Sequence, residues 1–108
     1  MRVLLDECVP SRLRRELAPH DVHTVPEMGW AGTKNGELLQ LLTAAGFEVL
    51  ITVDQNLRKQ QNLQAAGIAV LVLIAASNRL EALLPLIPSA LAALDLIRTG
   101  DVREISAD

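Results

Sequence analysis

Apolar residues along the chain form short continuous runs, separated by segments with helical spacing. The runs are typical of strands covered on both faces, whereas residues 21–25 alternate polar and apolar side chains and indicate a partly exposed strand. The predicted strands are residues 2–6, 21–25, 49–53, 68–74 and 102–105. The predicted helices lie between them, at residues 10–17, 37–46, 56–66 and 80–97.

This alternation predicts an α/β fold with three layers, α/β/α. A strand, a helix and a second strand normally form a right-handed crossover, so the sheet of four to five strands should be mostly parallel. Asn35 is a plausible cap for the second helix, and Asn78 opens a sequence with capping-box spacing. At 108 residues, the chain is expected to form a single domain over residues 1–108.

The last predicted helix is interrupted by Pro85 and Pro88, so it must kink or restart there. Its apolar residues cover two faces, which is typical of a helix that is central or is covered by another chain. We therefore expect a homodimer or a partner contact through Leu83, Leu86 and Leu94. The alternative is that the kink folds the segment back and buries both faces within the monomer.

Composition excludes several classes of protein. The formal net charge of −3 argues against a dedicated double-stranded DNA binder, although a nuclease can draw local positive charge from its metal. The longest apolar run, residues 68–76, is too short to span a bilayer, so no membrane association is expected. The single cysteine, Cys8, excludes an internal disulfide and favours a cytoplasmic location, and it is expected to be a small buried residue.

Acidic residues follow two of the predicted strands. Asp6 and Glu7 end the first strand, Asp54 ends the third, and Glu37 opens the helix between them. The carboxyl ends of parallel strands share one edge, so these carboxylates should meet in a crevice where they repel unless a cation lies among them. Oxygen ligands favour Mg²⁺ or Mn²⁺. Glu7 can contribute only if the chain turns there, because successive strand side chains point to opposite faces.

Neutral and basic residues flank these acids. Amide oxygens suit a metal-bound water or a substrate phosphate, and the two auxiliary amides are Asn35 and Asn56. Cationic side chains could hold phosphates, although a solvated helix face would have the same composition. The candidates for this phosphate-binding role are Arg12, Lys34, Arg58 and Lys59.

The first strand with its two acids, the loop from Gly29 to Gly36 leading into Glu37, and the run Leu50 to Asp54 resemble the short PIN-like domain proteins. These are relatives of the VapC-type toxins of bacterial toxin–antitoxin modules, and the resemblance covers about residues 1–75. It implies a PIN-like fold, Mg²⁺- or Mn²⁺-dependent ribonuclease activity, and a cognate antitoxin as partner. It also implies that Asp6, Glu37 and Asp54 are the catalytic and metal-binding acids.

The chain departs from the family pattern at two positions. Asn35-Gly36 stands where the family commonly has an acid just before the helix-borne Glu, and Asn56 stands where it commonly has a further acid. Fewer negative ligands weaken metal affinity, so a catalytically degenerate interaction module is an alternative. A phosphoacceptor receiver domain has a similar arrangement of acids, but it needs a Lys after the last strand. This chain has only Lys34 and Lys59.

Overall fold

The computed structural model describes residues 1–54 and 67–106, except for the side chain of Asn35. Within these ranges, five strands form one all-parallel sheet in the order β2-β1-β3-β4-β5. The strands are β1 (Arg2–Leu5), β2 (Asp21–Thr24), β3 (Val49–Thr52), β4 (Ala69–Ile74) and β5 (Val102–Ser106). The predicted α/β class and mostly parallel sheet are therefore confirmed.

The three central strands are those with continuous apolar sequence. Strand β3 is buried at all four positions, and β4 at its first five. The edge strands β2 and β5 include exposed positions. Their polar side chains are solvated there, which explains why the alternating pattern of residues 21–25 corresponds to an edge.

Two apolar cores lie on opposite faces of the sheet. On one face, Val3 and Leu5 pack with the 3-10 helix Ser11–Leu17 and with the C-terminal helices. On the other face, Leu4 and Leu50 pack against helix α1 (Asn35–Ala44) through its buried leucines. Helix α1 therefore covers the face to which the even-numbered residues of β1 and β3 belong.

The C-terminal segment is divided as the two prolines predict. Helix α2 (Leu80–Leu83) passes through a 3-10 turn (Leu84–Leu86) into α3 (Ile87–Leu94). Leu83, Leu86 and Leu94 are each at most 1% exposed. The prediction that these three form an association surface is wrong, because the bends turn them into the monomer's own core.

Both predicted helix caps are also wrong. Helix α1 includes Asn35 and is preceded by Lys34 as its N-cap residue, while α2 is preceded by Arg79. Asn78 instead donates from Nδ2 to the carbonyl of Cys8, at 3.1 Å, and so joins the start of α2 to the turn after β1. The predicted helix 56–66 lies outside the described residues. None of the helices within the described ranges is long and apolar enough to cross a membrane.

Candidate functional site

Asp6 and Asp54 lie at the carboxyl edge of the sheet, after the neighbouring strands β1 and β3. The ladder between these strands extends one residue beyond β1, since the Asp6 amide donates to the carbonyl of Ile51 at 2.9 Å. The strand order therefore places both residues at one edge of the sheet, and the convergence of their carboxyl groups stays a prediction. In open parallel sheets this edge is where ligands bind.

Asp6 is the one buried carboxylate among the described residues, with 8% of its surface exposed. Its Oδ1 accepts from the Glu7 amide at 2.9 Å, and its Oδ2 accepts from the Thr52 hydroxyl at 2.7 Å. Within residues 1–54 and 67–106, no Lys, Arg or His forms an ion pair with it. A carboxylate has about four acceptor positions, so each oxygen keeps capacity for another donor or a cation.

Thr52 joins the two acids, and it was not among the residues predicted for the site. Its side chain is fully buried, and its Oγ1 accepts from the Asp54 amide at 3.0 Å while donating to Asp6. One hydroxyl thus fixes both the Asp6 carboxylate and the backbone that leads to Asp54. A threonine two residues before a strand-end acid, on the same strand face, is the signal that could have identified it.

The chain turns directly after Asp6, which separates the roles of the adjacent acids. The Val9 amide donates to the Asp6 carbonyl at 2.9 Å, so the strand does not continue through Glu7. The exposed Glu7 carboxylate accepts from the Gly32 amide, at 3.2 and 3.3 Å to its two oxygens. Gly32 has φ +81°, a conformation that favours glycine. Glu7 thereby ties the end of β1 to the loop before α1.

Glu37 lies in the first turn of α1 and is exposed. Helix α1 starts at the carboxyl edge, because its preceding strand ends there, and it covers the same sheet face as Asp6 and Thr52. Whether its carboxylate approaches Asp6 and Asp54 around a metal stays a prediction. Within residues 1–54 and 67–106, no three His, Cys, Asp or Glu side chains form a group that could hold a metal ion.

Cys8 is half-buried in the turn beside the two acids, and its Sγ lies 3.6 Å from Thr52 Oγ1. Burial raises the pKa of its thiol, and the negative charge of Asp6 raises it further. Hydrogen bonds from Val53 and Thr52 oppose the rise without cancelling it. A thiol held in its neutral form is a poor nucleophile, so the expected packing role fits Cys8 better than a catalytic one.

Two of the predicted RNA-binding cations flank this edge. Arg12 is exposed in the first turn of the 3-10 helix after β1, and Lys34 is exposed immediately before α1. Both elements begin at the carboxyl edge. The remaining candidates Asn56, Arg58 and Lys59 lie outside the described residues, as does the Asn35 side chain.

Fold and site together define a class: a small all-parallel α/β protein with acids after neighbouring strands at the ligand-binding edge. A family model described as a PIN like domain matches residues 1–75, which include β1 to β4 and every site residue discussed above. The match covers more than half of the chain, and the chain belongs to the PIN-like domain family. No curated protein and no solved structure matches it significantly.

Proposed function

We propose that the protein is a metal-dependent ribonuclease that cleaves RNA phosphodiester bonds at the carboxyl edge of the sheet. The observation that supports this most is the buried Asp6 carboxylate, which has no cationic partner in the described chain. Burying an uncompensated carboxylate is costly, and such a group is retained where binding or catalysis requires its charge.

The donor set fits Mg²⁺ or Mn²⁺. Mg²⁺ is usually held by one or two carboxylates, with water and substrate phosphates completing its shell, so a preassembled group of three acids is not required. Asp6 and Asp54 would hold the ion, and Glu37 would act on it directly or through water. When bound, the ion would stabilise charge on the scissile phosphate and acidify a water. Thr52 would fix the orientation of Asp6, as outer hydrogen-bond partners do for metal ligands.

RNA would be held by cations beside this edge. Arg12 and Lys34 are exposed where the first 3-10 helix and α1 begin, and contacts to phosphates position a nucleic acid without specifying its sequence. Arg58 and Lys59 are proposed for the same role from the sequence alone. The resemblance to VapC-type toxins extends the proposal to a toxin whose cognate antitoxin is a protein partner.

A catalytically degenerate interaction module is the second candidate. It is favoured by the exposed position of Glu37 and by the missing three-acid group in the ranges that the structure describes. Such a module would retain the fold and bind a partner without cleaving RNA. It would have no need for the negative charge of Asp6.

The test is cleavage of a labelled single-stranded RNA with Mn²⁺ or Mg²⁺ and with EDTA. We expect metal-dependent cleavage that falls by about a hundredfold or more in Asp6→Asn and Asp54→Asn, because a bound metal contributes several kcal/mol to the transition state. Asp21→Asn is the matched control, since Asp21 is an exposed acid on an edge strand, ion-paired with Arg2. Its activity should equal that of the parent.

Cleavage that persists in EDTA, or equal activity in Asp6→Asn and the parent, would contradict the proposal. A parent protein that is folded but inactive on every RNA tested, with a stable complex to another protein, would support the interaction module instead.

A further inference from the structure

Glu7 makes a contact that the proposed metal chemistry does not use. Both oxygens of its exposed carboxylate accept from the amide of Gly32, at 3.2 and 3.3 Å, across 25 residues of chain. Within residues 1–54 and 67–106, no Lys, Arg or His forms an ion pair with Glu7. A carboxylate that accepts from an amide forms a charge-assisted hydrogen bond, which is among the stronger kinds. Glu7 thus holds the segment between β2 and α1, residues 25–34, which we call the site loop.

The part of the site loop that Glu7 holds is a compact turn. The carbonyl of Trp30 accepts from the Thr33 amide at 3.1 Å and from the Thr33 hydroxyl at 2.6 Å, so Gly32 lies inside a hydrogen-bonded turn. The side chain of Trp30 packs against Phe47, with the ring centroids 6.1 Å apart. The turn is therefore attached to the core through Trp30 and to the end of β1 through Glu7.

Lys34 follows this turn and leads into the helix. It is exposed, and its carbonyl accepts from the Leu38 amide at 2.8 Å, so its backbone is fixed to the first turn of α1. Lys34 comes two residues after Gly32, a span of roughly 7 Å at most, so a shift of Gly32 is transmitted to it. Because Glu7 directly follows the buried Asp6, its bond to Gly32 sets where Lys34 lies relative to Asp6.

We propose that Glu7 is a positioning residue, which holds the site loop so that Lys34 contacts a phosphate of RNA beside Asp6. This inference rests on the proposed function, because it concerns how the same site holds its substrate. Glu7 acts through its hydrogen bond to Gly32, whereas its negative charge by itself repels an approaching phosphate. The two effects have opposite signs. Removing the carboxylate relieves a repulsion that salt screens, but it also releases the loop, so a net weakening of RNA binding identifies the positioning role.

The test is binding of a fluorescently labelled single-stranded RNA, measured by anisotropy in EDTA so that no metal-dependent cleavage occurs. We expect Glu7→Ala to weaken binding about two- to fivefold, the size of one exposed ionic contact. The slope of log K against log salt should become shallower by about 0.7, as for the loss of one phosphate contact to a single strand. Lys34→Ala should show the same two changes. The double variant should bind no more weakly than Lys34→Ala alone, because Glu7 acts through Lys34.

Two further variants separate geometry from charge. Glu7→Gln keeps a side-chain oxygen that can accept from Gly32, so it should bind RNA like the parent. Glu16→Ala removes an exposed acid of the 3-10 helix Ser11–Leu17 that forms no ion pair within the described residues, and it should bind at least as tightly as the parent. The chain has one tryptophan, so the emission of Trp30 measures the release of the turn without RNA. It should change in Glu7→Ala and stay as in the parent in Glu7→Gln.

Cleavage kinetics in Mn²⁺ add a measurement that a general loss of structure would not reproduce. Glu7→Ala should raise the KM for RNA by the same factor as the binding constant and leave kcat within about twofold, because uniform binding is lost. Equal losses in Glu7→Gln and Glu7→Ala would mean that Glu7 acts through its charge, and they would overturn the proposal. Additive losses in the double variant, or a parent that binds no RNA, would also overturn it. A parent that binds RNA with these effects of Glu7 but never cleaves it would contradict the nuclease proposal alone.

Discussion

Acidic residues at two places in this molecule differ in their burial and in their ion pairing. Around the edge strand β2, Asp21 is paired with Arg2 at 3.3 Å and with His23 at 2.9 Å, and Glu27 is paired with Arg14 at 2.6 Å. These acids are exposed and have cationic partners. At the carboxyl edge, Asp6 is buried and has no cationic partner among the described residues.

The difference distinguishes acids that have structural ion pairs from the acid to which we propose a function. An exposed ion pair contributes little to stability and needs no further ligand. Within the described residues, the buried Asp6 carboxylate accepts hydrogen bonds from the Glu7 amide and the Thr52 hydroxyl. These hydrogen bonds orient the carboxylate, and no cation among the described residues compensates its charge, which would suit the metal ion that we propose.

Removing the Thr52 hydroxyl should have the largest effect of the changes that follow. Thr52→Val keeps the shape but deprives Asp6 Oδ2 of its donor and the Asp54 amide of its acceptor. We expect RNA cleavage to fall about 10- to 100-fold, as for other outer partners of metal ligands. The free energy of unfolding should fall by about 1–3 kcal/mol, because polar groups are left unsatisfied.

Thr52→Ser is the matched control because it retains the hydroxyl. Its cleavage rate at saturating Mn²⁺ should lie close to that of the parent, measured beside a urea unfolding curve for each protein. If the valine and serine variants lose activity equally, Thr52 acts through packing and has no role in positioning Asp6.

The pKa of the Cys8 thiol should depend on the charge of Asp6. That charge, together with the larger effect of burial, raises the pKa of the thiol. Asp6→Asn should therefore lower the pKa of Cys8 while burial keeps it above its ordinary value. The pH dependence of iodoacetamide alkylation measures this directly, since the chain has one cysteine. An unchanged alkylation profile would mean that Asp6 does not influence the Cys8 thiol.

Breaking an ion pair near β2 should have the smallest effect. Hydrogen bonding from the Thr24 amide, aided by Arg14 and His23, holds the pKa of Glu27 below its usual value of 4.5. The unfolded state therefore binds the proton more readily. The resulting stabilisation is complete above about pH 4.5 and is lost as the pH falls through the folded pKa.

Glu27→Gln should accordingly cost less than about 1 kcal/mol at pH 7, after allowance for solvent screening, and still less near pH 3. Thermal unfolding of parent and variant at the two pH values makes the comparison, with RNA cleavage at pH 7 unchanged. A large loss of RNA cleavage in Glu27→Gln would contradict the distinction between the ion-paired acids around β2 and the buried Asp6.

The sequence was sufficient to predict those features that depend on local composition. Continuous apolar runs identified β1, β3 and β4, and Pro85 and Pro88 identified the break between α2 and α3. Strand order then placed Asp6 and Asp54 at one edge, because the carboxyl ends of parallel strands coincide.

Features that depend on tertiary contacts were not predictable in this way. Asn78 is a residue type that often caps helices. Its side-chain amide instead donates a hydrogen bond to the carbonyl of Cys8, which is distant in the sequence. The apolar spacing predicted that Leu83 contacts a partner chain. The bend at residues 84–86 instead places Leu83 in the core of the monomer. Thr52 is an unremarkable strand residue until the pairing of β1 with β3 places it beside Asp6. Whether Glu37 joins the two strand-end acids around a metal stays a prediction.

The most direct test of the central claim is calorimetric titration of the purified protein with Mn²⁺, comparing the parent, Asp6→Asn and Asp21→Asn. The asparagine at position 6 can accept from the Glu7 amide and donate to Thr52, so the variant should remain folded. We predict that the parent and Asp21→Asn bind Mn²⁺ alike and that Asp6→Asn shows no binding up to millimolar concentration. Equal binding by all three proteins, or no binding by the parent, would contradict the assignment of Asp6 as a metal ligand.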